Sequence, residues 1–202
     1  MLTNPSFPAL TVDTAPPSAR PILAASERQF GFLPSPVARV AHAPVTLKHL
    51  LAGFAAFDRT SLLPIEREVI AMTVAWEIDC HYCMAMHSAM LSGAADAGPL
   101  VEALRDGSAL ADERLEALRS YVRAVVRQGG SVPDRDATAL RTAGFDDAQA
   151  LEIVLGIGVY LLSTLLNKVT GAEVDAPFAA FAWERPADEQ RGARLTGDLA
   201  AR

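Results

Sequence analysis

No stretch of this chain alternates apolar and polar residues with β-branched side chains as a half-buried strand would, whereas apolar spacings of three and four recur throughout. That period points to an all-α fold. Residues that start or stop helices set the boundaries. Pro21 opens a helix reaching about Phe30, Gly31 ends it, and Pro34 and Pro44 each sit where a helix can begin. Pro64 starts another, running to about Glu77, and the next is expected from Asp79, a good N-cap. Later helices are expected from Gly98 to Arg105, Asp112 to Gln128, Pro133 to Thr142 and Asp146 to Val169. With 202 residues, half of them apolar, one core suffices without disulfides or structural metal. The expected organisation is an extended Pro-rich arm over 1–19, a helical domain over 20–182 and a charged tail over 183–202.

Several function classes drop out. A net charge of −6, with no long basic run, disfavours nucleic acid and anionic membrane surfaces as partners. Met1 to Pro17 lacks the basic and apolar regions of a secretory signal, so the expected location is cytoplasmic. The apolar run from Ile153 to Leu166 falls short of the roughly 20 residues that cross a bilayer, so it is expected to be a buried or subunit-interface helix. In a reducing compartment the only two cysteines, Cys80 and Cys83, point to redox or metal chemistry rather than a structural bridge.

The chemistry concentrates between Glu68 and His87. At about 100° per residue, Cys83 and His87 fall within about 60° of Cys80 on one helix face, while His81 and Tyr82 point away from it. Cys83 and His87 are one turn apart, close enough to exchange a proton, and a thiol in the first turn of a helix beside an imidazole is acidified. On the preceding helix Val69, Met72 and Trp76 form the core stripe, and of the charges beside it Glu68 is expected nearer the buried side than Glu66. If the two helices form a hairpin turning near Ile78, Glu68 stands level with His87. A relay Glu68–His87–Cys83 follows, with the carboxylate orienting the imidazole and the imidazole taking the thiol proton. The same side chains, Cys80, Cys83, His87 and Glu68, are also a conceivable metal site. His42, His49 and His81 are expected at the surface or in caps. Met72, Met84, Met86, Met90 and Trp76 are expected in the core, with Phe54, Phe57 and Trp76 as candidates to line a pocket. Tyr82 is expected to be a packed ring or a hydroxyl donor at the site mouth.

The run L-P-I-E-R-E-V-I-A-M-T-V-A around Glu68, Cys80-His81-Tyr82-Cys83 and His87 resembles the AhpD-like proteins of the carboxymuconolactone decarboxylase superfamily, specifically the peroxidase-related branch. The likeness extends from G-F-L-P at Gly31 through D-E-R-L-E-A-L at Asp112, A-G-F-D-D-A-Q at Ala143 and the Asn167 region to V-D-A-P-F at Val174, covering about residues 20 to 182. It implies an all-helical fold with a helical hairpin carrying the cysteines, assembly into trimers or hexamers, and peroxide reduction through the paired thiols. The family's glutamate, two cysteines and last histidine match Glu68, Cys80, Cys83 and His87. Alkylhydroperoxidase-type members carry a histidine just before the second cysteine, where this chain has Tyr82. Decarboxylases of the superfamily lack the cysteine pair, which argues against decarboxylation.

The expectation is therefore a thiol peroxidase or related disulfide oxidoreductase. Cys83 attacks the peroxide and becomes a sulfenic acid, Cys80 condenses with it, and a lipoyl or thioredoxin-like dithiol restores the pair. No organic cofactor is expected, because sulfur carries both electrons and no Gly-rich phosphate loop follows a strand. The competing readings are a metal-binding module built on the same four side chains and a noncatalytic, redox-sensing oligomeric scaffold.

Overall fold

The computed structural model describes residues 7–186. Among them the fold is all-α: α1 Arg20–Phe30, α2 Ser35–Val40, α3 Pro44–Phe57, α4 Pro64–Ile78, α5 His81–Leu91, α6 Gly98–Asp106, α7 Glu113–Arg127, α8 Asp134–Thr142 and α9 Asp147–Thr170, followed by a 3-10 turn Ala176–Phe181. The punctuation signals place nearly every boundary within a residue or two. One start differs. Asp79 does not cap α5 but ends α4 in the left-handed conformation, with φ 58°, and Cys80 is the N-cap.

Helix α4 is the axis of the fold. Every residue from Val69 to Glu77 is buried, because α5, α6, α7 and α9 all pack around it. The stripe expected through Val69, Met72 and Trp76 is thus only part of its buried surface. This corrects the ranking of the carboxylates: Glu66 is 1% exposed, more enclosed than Glu68, whose side chain is 20% exposed. A buried carboxylate needs partners. Glu66 accepts from the Leu63 N–H at 2.8 Å and from Arg114 at 2.8 Å. Glu77, also buried, meets Arg123 at 3.1 Å and Arg127 at 2.7 Å. Trp76 lies between the guanidinium groups of Arg123 and Arg185, 4.6 and 4.4 Å from its ring centre, and is committed to that stack.

Helix α9 starts at a capping box, Asp146 with Gln149, and ends at Gly171 with φ 65°. Its 24 residues are enough by length and composition to cross a bilayer, yet the helix packs on α2, α3, α4 and α7. Gly156 permits this approach: a Cβ there would stand 2.5 Å from the Phe57 ring. Residues 7–19 turn back onto α2, with Leu10 N–H donating to Ala38 O at 3.1 Å and Arg39 to Phe7 O at 2.8 Å. Ala15 and Ala19 close a small second core with Leu23, Val40 and Leu47. At the other end the packed chain continues past 182, since Trp183 is buried and its indole N–H donates to Arg105 O at 2.9 Å. The tail from 187 lies outside the described residues.

The α3–α9 contact yields a direct test. Gly156→Ala should lower the urea midpoint by the equivalent of about 1–3 kcal/mol through overpacking. Gly98→Ala, whose added Cβ meets nothing within 4 Å, should stay within about 0.5 kcal/mol of the parent.

Candidate active site

Only Asp79 and Cys80 separate α4 from α5. Asp79 tolerates the left-handed conformation that reverses the chain, and Cys80 N–H returns to Ala75 O at 2.8 Å. Lys168, in the last turn of α9, donates to both Ile78 O and Asp79 O at 2.9 Å. Its ammonium thereby satisfies carbonyls at the C-terminal end of α4. Cys80 consequently sits at the N-terminus of α5, where its sulfur accepts from the Cys83 N–H at 3.4 Å.

Both cysteines are free thiols, each 1% exposed. Asn167 of α9 donates from Nδ2 to Cys83 Sγ at 3.1 Å and lies 3.9 Å from Cys80 Sγ. The charge is distributed unequally. The Cys83 thiol donating to Cys80, helped by the Cys83 N–H, Asn167 and the Lys168 charge, outweighs burial and lowers the Cys80 thiol from 9.0 to about 7. Cys83, donating to that sulfur and fully buried, is pushed well above the ordinary thiol value. These directions favour Cys80 as the more acidic thiol of the pair, where the helical wheel favours Cys83. The N-cap position and the internal hydrogen bond decide the difference.

The hairpin also brings Glu68 to His87, as its register requires. His87 Nδ1 donates to Glu68 Oε2 at 2.8 Å, which orients the ring and turns Nε2 away from the carboxylate. Nε2 is buried and has no hydrogen-bond partner among the described residues. His87 follows Cys83 by one helical turn, a spacing of about 5–6 Å between Cβ atoms, and no hydrogen bond joins the two side chains. Tyr160 of α9 packs edge-on against the His87 and Phe57 rings, centroids 5.2 and 5.9 Å apart, and tilted against Phe54 at 5.4 Å. Burial and the Glu68 charge raise the Tyr160 hydroxyl well above the ordinary phenol value, so it stays protonated.

Two residues expected to point away from the site are engaged by the segment after α9. Tyr82 is buried and its hydroxyl donates to Asp175 at 2.8 Å. Burial, followed by that carboxylate, keeps the phenol protonated. His81 is exposed, with Nδ1 2.7 Å from Trp183 O. The residues between the cysteines are thus both tied to the chain that crosses α5. Sequence reasoning missed Tyr160, Asn167 and Lys168 as parts of the site. The available signal was a set of polar residues, Tyr160, Ser163, Thr164 and Asn167, at helical spacing in an otherwise apolar helix. No group of three or more His, Cys, Asp or Glu side chains able to hold a metal occurs among the described residues.

Residues 46–124 match the carboxymuconolactone decarboxylase family. The fold is shared with the alkylhydroperoxidase AhpD core of a peroxidase-related protein from Ralstonia eutropha JMP134, at a TM-score of 0.73, 24% identity and coverage of 85% of this chain and 93% of that one. A peroxidase-related protein from Silicibacter sp. TM1040 superposes with a TM-score of 0.71 at 23% identity, covering 88% of this chain and 97% of that one. The debrominase Bmp8, crystallised as a cysteine-to-alanine variant with 2,3,4-tribromopyrrole, gives 0.72 at 18% identity over 89% of this chain and 96% of that one. At these identities the likeness is one of fold. No curated protein sequence matches the chain.

The unequal thiols predict a pH profile. With the Cys80 thiol lowered to about 7, its alkylation rate should rise through that pH and then level, falling about tenfold per unit on the acid side. Peptide mapping after brief iodoacetamide treatment should find Cys80 labelled before Cys83. Preferential labelling of Cys83 would reverse the assignment.

Proposed function

We propose, for a chain whose residues 46–124 match the carboxymuconolactone decarboxylase family, a thiol-dependent peroxidase that reduces hydroperoxides through Cys80 and Cys83. The reading rests chiefly on one observation: two buried free thiols lie together at a helix N-terminus, Cys80 lowered and Cys83 raised in pKa, beside a Glu68–His87 pair whose Nε2 is unengaged. Cys80 thiolate attacks the distal peroxide oxygen, the O–O bond breaks, and the departing alkoxide takes a proton to leave as an alcohol. Cys80 is then a sulfenic acid. Cys83 loses its proton toward His87, oriented by Glu68, and its sulfur displaces hydroxide from Cys80, which leaves as water once protonated. One hydroperoxide and two thiols thus give an alcohol, water and a disulfide. An external dithiol, lipoyl or thioredoxin-like, restores the pair and is itself oxidised. The cycle requires no organic cofactor or metal ion, and a reducing cytoplasm would supply the dithiol.

The relay acts here on Cys83 as the second thiol, because Cys83 holds its proton most tightly and needs a base to attack. Tyr82, in the position where alkylhydroperoxidase-type relatives carry a histidine, anchors the segment crossing α5 through Asp175. Decarboxylation has no use for a thiol pair, and a four-ligand metal site is disfavoured because the described residues gather no group of three or more His, Cys, Asp or Glu side chains able to hold a metal.

We also propose a homo-oligomer, trimeric or hexameric, formed through α9. Its outer face exposes Leu151, Val154, Leu155, Leu165 and Val169, the first at 73%. Beside it a cleft of about 270 Å³ opens between α3 and α9, lined by His49, Leu50, Gly53, Val154, Leu155 and Gly158. An apolar face of this length favours burial against another copy. Light scattering at micromolar concentration should return a multiple of 21.5 kDa; the mass of a single chain would remove the assembly.

The enzymatic reading is tested by a dithiol-coupled assay with hydrogen peroxide and organic hydroperoxides. Turnover should require both cysteines and fall by about 10²-fold in Glu68→Gln and His87→Ala. Stoichiometric disulfide formation without turnover in excess dithiol would instead make the chain a redox sensor.

A further inference from the structure

We propose that Asn167 is a positioning residue of the sulfur pair, its side-chain amide holding Cys80 and Cys83 together and stabilising whichever sulfur carries negative charge. The inference rests on the reading of Cys80 and Cys83 as a cycling dithiol, and adds to it a residue 84 positions away from the second cysteine.

Asn167 is 4% exposed, in a helix that is otherwise apolar over most of its length. A buried amide must find partners. Those it finds are the sulfurs: Nδ2 lies 3.1 Å from Cys83 Sγ and 3.9 Å from Cys80 Sγ. An amide nitrogen carries two hydrogens, and a thiolate only accepts, so one group can serve both sulfurs as charge passes between them. The residue's backbone is also held in place. Asn167 O accepts from Ala172 N–H at 2.9 Å where α9 ends. The next residue, Lys168, clamps the Ile78 and Asp79 carbonyls that lead into Cys80. Two consecutive residues of α9 therefore fix the backbone before Cys80 and the sulfurs themselves. Ser163, one turn earlier, faces the same Cys83 sulfur.

The chemistry that benefits is ionisation and thiol–disulfide exchange. When a dithiol thiolate attacks one sulfur of the oxidised pair, a new S–S bond forms to it and the Cys80–Cys83 bond breaks. The departing sulfur keeps the electron pair as thiolate. A donor already aimed at that sulfur stabilises the charge as it develops, without reorganisation. By the same interaction Asn167 favours the reduced, ionised pair over the disulfide, which raises the reduction potential.

The test is the ultraviolet thiolate titration of the reduced full-length protein, together with redox equilibration against glutathione. In Asn167→Ala the titration should move upward by about one pH unit, lowering the thiolate fraction below neutrality several-fold. Asn167→Asp, which keeps the shape but loses the donor and adds repulsion, should move it further. Both potentials should become more negative. Thr170→Val, a buried change on the same helix remote from the sulfurs in its hydrogen bonding, should leave titration and potential alone. Circular dichroism identifies the folded variants, and Asn167→Ser substitutes for either that does not fold, with a smaller upward shift. Unchanged titration in the folded Asn167 variants would overturn the proposal and leave the amide as packing. Neither readout depends on peroxide turnover, so an inactive protein with shifted titrations would refute the peroxidase reading and keep this one.

Discussion

Lys168 reaches from the end of α9 to the carbonyls of Ile78 and Asp79, and closes the two-residue reversal between α4 and α5 around its ammonium group. Those carbonyls lie at the C-terminal end of α4 beside a left-handed Asp79, and the Lys168 ammonium partners both of them. With it, the chain turns tightly enough for Cys80 to become the N-cap of α5, and for α5 to run back along α4. The remaining site geometry is a consequence of that return. Glu68 comes level with His87, Cys80 lies over the Cys83 N–H, and both sulfurs meet the α9 face that carries Asn167.

A largely buried site holding four ionisable side chains is costly unless charge is confined and paired. Here the Cys83 side chain and N–H, Asn167 and the Lys168 charge lower the Cys80 thiol against its burial, while Cys83 is pushed up. Glu68 keeps partial access to solvent and commits its hydrogen bond to His87. The more enclosed carboxylates, Glu66 and Glu77, are neutralised by arginines from α7 and serve the scaffold. Three glutamates on one helix thus divide into two enclosed carboxylates paired with arginines and one hydrogen-bond partner of His87, according to which neighbouring helix each faces.

Helix boundaries were legible because Pro, Gly and Asp act locally, and the Glu68–His87 contact was legible because a hairpin of two regular helices has a calculable register. The errors arose where a decision is tertiary. Asp79 is a good N-cap by composition, but the reversal and Lys168 commit it to ending α4. A helical wheel puts Cys80 and Cys83 on one face but does not show that Cys80 is the cap of α5. The wheel turns Tyr82 away from the cysteine face, and the segment ending in Trp183 crosses α5 there, which makes Tyr82 the packed, hydroxyl-donating residue expected. Asn167 could not be assigned from one helix, since its meaning comes from the opposing cysteines.

The central claim is that Cys80 and Cys83 act as a two-electron couple toward hydroperoxide. The most direct measurement is a single turnover: the reduced protein receives one equivalent of an organic hydroperoxide, and alcohol, free thiols and intact mass are determined on the same sample. The account predicts one alcohol per chain, loss of both thiols, a mass lower by two hydrogens and a Cys80–Cys83 linked peptide, all reset by dithiol. Peroxide left intact, or consumed while both thiols remain free, would contradict it.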